Sequence, residues 1–532
     1  MQKELSVLLD AAKIKSYTKE QGKIIITGLA FDSRQVKQGF LFFALPGVHE
    51  NGNTYIKSAL DNGAAAVIYQ GDLPATISAE ANCFKVLDSR FVMAPVSDVF
   101  YDYPSSKLKV IGITGTEGKS TTVFLVWQLL RLCGKKCGFI STVEYSLGGE
   151  AVPNPEHQTT PEAPIINEKL NTMLQNGCEY AVIESSSHGL SPRTNRLGSV
   201  LFDAVAFMNV THEHLEFHGT YEQYKDDKAN LFRALDKHNH KKSGEKIMPV
   251  SAVNLEDPAA DFFANATKYE TIGFAIKDVF SVPKKIKRIF HAADIESDTY
   301  GERFTIEEVE KKKDGFEVLN RYKAEIKLPG VFNIYNVLAA CILVSGITHK
   351  NFSDLILLLP ELVPVRGRMS TINKGQPFEV LVDYAHTPSS FETIFPPLKK
   401  RAKGRIISLF GSGGERDTQK RPVQGKIASE YSDIVILADE DPRGEDPLEL
   451  LEMIAAGCTN SVRDENLFLI PDRPSAIRKA FSLAKKDDIV LLLGKGHENS
   501  IIYKDRVVPY DEIKEAEKAL LEMGYADSEA KK

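Results

Sequence analysis

The run Gly112-Ile113-Thr114-Gly115-Thr116-Glu117-Gly118-Lys119-Ser120-Thr121 sets glycines, a lysine and hydroxyls in an order that suits a phosphate-bearing ligand. Glycines let backbone N–H groups close on phosphate oxygens, the lysine neutralises the β and γ phosphates, and the hydroxyl after it ligates Mg²⁺. The strict pattern wants glycine where Ile113 stands, so the match is to a variant. A bare glycine-rich turn is the plainer reading. The apolar run at 108–113 and the helical periodicity of 121–133 supply the strand and helix that a phosphate loop needs on either side, and favour nucleotide binding.

Other chemistry-bearing residues follow. Glu184 closes the apolar run at 180–183, where a carboxylate can hold Mg²⁺ beside a phosphate loop or can be a plain surface group. The segment Asn209 to His218 carries His212, His214 and His218, dense enough for a metal reading but without companion cysteines. Lys228, in Asp226-Asp227-Lys228-Ala229-Asn230, reads on residue type alone as a helix-surface lysine.

The elements that must position these groups fall into three stretches. Residues 1–107 mix short apolar runs with turn residues and end in the hydrophilic Tyr103-Pro104-Ser105-Ser106-Lys107, which reads as a linker. Residues 108–362 begin strand, glycine loop, helix, with further buried strands at 180–183 and 203–208 and a helix at 336–345. Residues 363–532 hold four apolar runs, at 380–382, 406–410, 434–437 and 489–493, each stopping abruptly at polar or glycine residues. Ligands bind outside such carboxyl ends in open α/β sheets. The expected class is α/β with three domains.

With 532 residues against about 150 per domain, a single small module is excluded. Hydrophobic residues make up 43% and charged residues 26%, enough apolar side chain for several cores. The net charge of -6 supplies no global field toward nucleic acid, and the basic run Lys284, Lys285, Lys287, Arg288 reads as a solvated strand or loop. Six scattered cysteines fit a reducing compartment. The interleaved charges of the first residues leave no signal-peptide core, and no apolar run approaches a membrane span, so the expectation is a cytoplasmic monomer without membrane insertion.

The ordered set of motifs resembles the Mur ligases of peptidoglycan synthesis over nearly the whole chain, and looks most like their MurE branch. The pieces are Asp32-Ser33-Arg34 with 39–44, the Gly-Thr-Glu-Gly-Lys-Ser loop, Thr159-Thr160-Pro161, Ser186-Ser187-His188-Gly189-Leu190, 214–219 and Lys228. They continue with Pro329-Gly330-Val331-Phe332-Asn333 and Asn336, Gly367-Arg368-Met369, Asp383-Tyr384-Ala385-His386-Thr387-Pro388, 413–422 and Gly494-Lys495-Gly496-His497-Glu498.

The resemblance implies an N-terminal UDP-binding α/β domain (1–107), a central phosphate-loop ATPase-like domain with a parallel sheet (108–362), and a C-terminal Rossmann-like α/β domain that binds the incoming amino acid and closes on ATP (363–532). The implied reaction joins the D-glutamate carboxylate of UDP-MurNAc-L-Ala-D-Glu to the amine of a diamino acid through an acyl phosphate. Gly115, Thr116, Glu117, Gly118, Lys119, Ser120 and Thr121 would cradle ATP. Asn333 and Asn336 would meet its adenine side, and Arg368 and Asp383 its phosphates and ribose. Ser120 and Glu184 would hold one Mg²⁺ and His214 would help hold a second, with Lys228 carbamylated by CO₂ into an anionic ligand. Lys119, Glu184, His214 and Lys228 form the implied catalytic set. Ser33, Thr159, Thr160 and Ser186 would take the UDP-sugar dipeptide, with Arg193 or Arg196, of which the spacing to Phe202 favours Arg196.

Departures from the family pattern are informative. Glu117 stands for the usual Asn and Glu213 for Asp. Family members that add meso-diaminopimelate usually show Asp-Asn-Pro-Arg, where this chain reads Glu440-Asp441-Pro442-Arg443. Arg443 and Arg416 suit a distal carboxylate, whereas Asp441 would attract a distal ammonium such as that of lysine or ornithine. Glu440, Gly494 and Glu498 complete the amino-acid set, and the diamino acid stays open. A different Mur-type or folylpolyglutamate-type ligase, a phosphate-loop switch and a noncatalytic UDP-sugar sensor are the rivals. The Asp-Ser-Arg segment, the third domain and the intact Lys119, Glu184, His214 and Lys228 speak against them in turn.

Overall fold

The computed structural model describes the chain apart from residues 48–50, 79, 156–157, 212–214, 279–281, 299–300, 314 and 526–532, and the side chains of 215–216. It divides into two compact units. The first comprises Met1–Asp294, Phe304–Ala324 and Ile334–Leu359, and the second comprises Ile295–Arg303, Glu325–Asn333 and Pro360–Lys532.

In the first unit, Gly28–Ala30, Phe40–Phe43, Ala66–Gln70 and Cys83–Val86 form a four-stranded parallel sheet in that order. Its strands are apolar on both faces because both are covered: Leu41 and Phe43 enter one core, Phe42 and Val67 the other. The central sheet sets Cys137–Ile140, Tyr180–Glu184, Lys109–Thr114, Ala204–Phe207, Val250–Asn254 and Thr271–Ala275 parallel in that order. Lys109–Thr114 therefore lies between Tyr180–Glu184 and Ala204–Phe207. Three chemistry-bearing strand ends open side by side. The helix Lys119–Leu132 leaves the first of them directly, starting two residues before the apolar periodicity does because Lys119 and Ser120 carry no apolar signal.

Residues 103–107, expected to be a linker, are instead a folded joint. Tyr103 takes φ 54°, Pro104–Ser106 form a 3₁₀ turn, and Ser105 is buried. The Ser105 hydroxyl accepts from Leu201 N at 3.2 Å. Its carbonyl accepts from the buried Lys242 ammonium, which also reaches Leu201 O at 3.0 Å and Asp203 Oδ2 at 3.2 Å. The polar segment is held because its polar groups have partners far along the chain.

Near this joint, burial pushes the Asp98 carboxyl up to about 7, with Lys242 opposing, and Asp98 Oδ1 is buried without a hydrogen-bond partner. A carboxyl raised in the fold binds its proton more tightly folded than unfolded, so it subtracts stability as pH rises from about 4 to about 7. Asp98→Asn should therefore raise unfolding stability by roughly 2–4 kcal/mol above pH 7 and by nearly nothing below pH 4. Urea melts at the two pH values check this.

In the second unit, Glu379–Asp383, Ile489–Leu493, Ile406–Phe410, Ile434–Leu437 and Leu467–Leu469 lie parallel in that order, with Ser370–Ile372 antiparallel on the edge. The four apolar runs of the sequence are four of these strands. The fully buried Arg473 makes a two-pronged pair with Glu512, at 2.8 and 2.7 Å, and donates to Leu493 O and Asp439 O. Among the described residues no helix is long and apolar enough to cross a membrane.

Candidate active site

The phosphate loop is braced from below. Asn209, just past the strand Ala204–Phe207, accepts from Thr116 N at 3.1 Å and Glu117 N at 2.8 Å through its side-chain oxygen, and its amide donates to Glu117 O. Its backbone carbonyl accepts from Thr116 N at 2.8 Å. Gly118 takes φ +81°, and a Cβ there would meet Asn336 Oδ1 at 2.6 Å. A Cβ on Gly115 would stand 2.9 Å from Met208 Cβ. Gly118 is required by its positive φ, and Gly115 by the close approach of Met208. Lys119 curls over the loop, its Nζ donating to Thr116 O at 2.7 Å.

Ser120 and Glu184 meet as expected, with Ser120 Oγ 3.1 Å from Glu184 Oε1 and both residues buried. Thr142 N fixes the other carboxylate oxygen at 2.8 Å. A hydroxyl and a carboxylate side by side at the mouth of a phosphate loop are the hard oxygen donors that fit Mg²⁺.

Lys228 joins the same site. It is 1% exposed, its Nζ donates to Gly115 O at 2.6 Å and lies 4.5 Å from the centre of the Tyr224 ring. Tyr224 OH stands 3.1 Å from Thr116 Oγ1. A lysine that residue type places on a helix surface is thus directed into the loop. Glu213 and His214 lie outside the described residues. The next histidine, His218, is buried between Asp227 Oδ2 at 2.7 Å and Ser187 Oγ at 3.0 Å.

The residues expected to take the UDP-sugar dipeptide adjoin this cluster in part. Thr160 Oγ1 donates to Glu184 O at 2.8 Å and accepts from Ser186 N at 3.0 Å. Ser186 caps the short helix Ser187–Leu190. Of the two candidate arginines, Arg196 is the more buried and donates to Thr160 O at 2.8 Å, while burial holds its guanidinium below the usual arginine range. Arg193 is exposed and stacks 4.5 Å over Phe217. Ser33 is buried in its 3₁₀ turn, where Asp32 pairs with Arg34 at 2.7 Å. Asn336 reaches Thr122 Oγ1 at 3.1 Å beside Gly118. Asn333, expected on the adenine side, folds its amide onto Pro329 O at 2.9 Å.

In the second unit, Asp383, expected to face ribose, has both oxygens taken at 2.7 Å by Met369 N and Ala385 N. It braces the turn that carries Arg368. Burial raises its carboxyl, with Arg368 opposing. Arg368 lies 4.8 Å over the Tyr384 ring with its Nε buried and without a hydrogen-bond partner.

The amino-acid set gathers at the ends of the parallel strands. Asp441, expected to attract a distal ammonium, accepts through its Oδ1 from the fully buried Lys495 ammonium at 2.9 Å and from Ile502 N at 3.0 Å. Lys495 also holds Glu498, whose carboxyl burial raises and Lys495 lowers. Glu440 Oε2 is buried without a hydrogen-bond partner, in the place a Cβ on Gly494 would crowd at 2.6 Å. Arg443 takes φ 53° with its Nε buried and unpartnered, and Arg416 is exposed.

Asn209, Thr142, Tyr224 and Lys495 were not singled out by residue type. Asn209 and Lys495 each carried a signal in standing just past an apolar run, Lys495 also within the Gly494–Glu498 motif, whereas Thr142 and Tyr224 carried none.

Three family profiles match the chain: "Mur ligase family, catalytic domain" over residues 25–101, "Mur ligase middle domain" over 113–344, and "Mur ligase, glutamate ligase domain" over 367–496. A UDP-N-acetylmuramyl-tripeptide synthetase of Treponema denticola is 55% identical over 516 residues, 94% of each chain. One from Treponema pallidum is 46% identical over 93% of each. A solved UDP-N-acetylmuramoyl-L-alanyl-D-glutamate–2,6-diaminopimelate ligase superposes with a TM-score of 0.63 at 26% identity, covering 99% of this chain and 100% of that one. Phosphate loop, buried carboxylate and inward lysine thus stand in a chain matched end to end by one group of enzymes, and the protein belongs to the Mur ligase family, on its MurE branch.

Proposed function

We propose that this enzyme joins a diamino acid to the D-glutamate of UDP-MurNAc-L-Ala-D-Glu, using ATP and Mg²⁺, in the cytoplasmic synthesis of peptidoglycan precursor. The observation that carries this reading is the single cluster of Lys119, Ser120, Glu184 and Lys228 around the phosphate loop. The names of the relatives support the substrate, since those of Treponema are tripeptide synthetases and one from Geobacillus thermodenitrificans, 34% identical, is a 2,6-diaminopimelate ligase.

A carboxylate cannot expel oxide. Its oxygen attacks the γ phosphorus, ADP leaves, and the resulting acyl phosphate loses inorganic phosphate when the amine adds to the acyl carbon and gives up its proton. Catalysis is mainly charge neutralisation and positioning. Lys119 neutralises the transferring phosphoryl group, and the N–H groups of the loop orient it. Bound at Ser120 and Glu184, Mg²⁺ supplies further neutralisation of phosphate charge. Lys228, as a carbamate, would add an anionic ligand, with His214 holding a second ion. Arg196, Thr159, Thr160, Ser186 and Ser33 hold the UDP-sugar dipeptide. Glu440, Arg443, Arg416, Gly494 and Glu498 hold the amino acid, with Asp441 shaping that site through Lys495. The boundaries 1–107, 108–362 and 363–532 are part of this reading.

Phosphate release is the test. With ATP, Mg²⁺ and UDP-MurNAc-L-Ala-D-Glu present, it should require addition of meso-diaminopimelate, L-lysine or L-ornithine, supplied in separate reactions. Release without the UDP-sugar dipeptide, or stimulation by no amino acid, overturns the reading.

A further inference from the structure

Glu162 is 5% exposed, and its Oε1 is shared by two arginines, Arg90 Nη1 at 2.6 Å and Arg196 Nη2 at 3.0 Å, while Oε2 is buried without a hydrogen-bond partner. Arg90 stands on the helix Ser89–Phe100, in the part of the chain that carries the four-stranded sheet, and its Nη2 also donates to Pro46 O at 3.4 Å. One residue on, Phe91 O accepts from Asn195 Nδ2 at 2.8 Å, so the helix start is tied to the loop bearing Arg196 twice. Arg196 in turn donates to Thr160 O, and Thr160 bridges Glu184 and Ser186. A continuous run of bonds leads from Pro46 through Arg90, Glu162, Arg196 and Thr160 to the backbone carbonyl of Glu184, whose side chain stands at the phosphate site.

Charge counting gives this run a purpose. Two guanidiniums against one carboxylate leave one positive charge over, with Arg196 Nε buried and without a hydrogen-bond partner. Remove Arg90, and Glu162 has only Arg196 to pair with. A carboxylate and a guanidinium left alone in a buried setting adopt the two-pronged geometry, which would draw the Arg196 fork away from any incoming anion.

We propose that Arg90 is a positioning residue for the UDP-sugar dipeptide, sharing Glu162 Oε1 with Arg196 so that the Arg196 fork is not drawn fully onto Glu162 and keeps its charge and direction for the substrate's carboxylate. This rests on the function proposed above. Arg90 makes no substrate contact in this scheme and acts through Glu162.

Steady-state kinetics on the full chain test it. Arg90→Met should raise KM for UDP-MurNAc-L-Ala-D-Glu about tenfold, with KM for ATP and for the amino acid within about twofold of native. The double variant Arg90→Met with Glu162→Gln removes the competitor as well, and should bring that KM back to within about threefold of native. A merely structural role for Arg90 would show additive losses across all three substrates. Arg90→Lys, which keeps one bond to Glu162, should show a rise of about threefold and stands in if Arg90→Met does not fold. An unchanged KM in either single variant, or no recovery in the double, overturns the proposal. Absence of ligase activity in the native enzyme would instead overturn the reading of function.

Discussion

Lys119→Ala should lower kcat/KM for ATP-dependent phosphate release by about a thousandfold, in line with what removal of a charge aimed at a transferring phosphoryl group costs elsewhere. The side chain is partly exposed and bonds a carbonyl of its own loop, so its loss leaves no buried group stranded. Thermal melting of the variant without ligands should accordingly match native. The loss should fall on kcat as well as on KM for ATP, because charge on the γ phosphoryl group grows during transfer. Lys119→Arg should recover little, since a planar fork cannot follow the point charge of an ammonium over the loop. A variant that retains a tenth or more of native activity would remove Lys119 from the phosphate site.

Lys228→Met should lower kcat by about a hundredfold or more while leaving the fold intact, methionine filling much of the same buried volume. The second readout is independent of turnover. Native enzyme equilibrated with ¹³C-bicarbonate should show a protein-bound carbamate resonance that Lys228→Met lacks. Full activity in the variant refutes a catalytic role. Activity lost without any native carbamate signal would leave the ammonium itself, bonded to Gly115 O, as the working form.

Much of the architecture was legible because parallel strands buried on both faces are written as unbroken apolar runs. The stretches at 406–410, 434–437 and 489–493 appear as strands with those bounds. The phosphate loop was legible because its glycines, lysine and hydroxyl are adjacent in sequence. What escaped depends on distance along the chain. Nothing local marks Asn209 as the brace of a loop 92 residues away, or Lys495 as the partner that cancels Asp441 across 54. The hydrophilic 103–107 segment misled for the same reason, its partners Leu201 and Lys242 being remote. Lys228 reads as surface by type, and only the family match directed attention to it.

The order of strands in the second unit bears on how the protein is made. Ile489–Leu493 lies between two strands that leave the ribosome about 80 and 105 residues earlier, and Arg473 meets its carboxylate partner Glu512 39 residues later. Until both arrive, the sheet has a gap and a guanidinium awaits its counter-charge. This half therefore cannot close before residue 512 has been made, and a premature stop upstream of it should yield chains that quality control discards rather than a partly working enzyme.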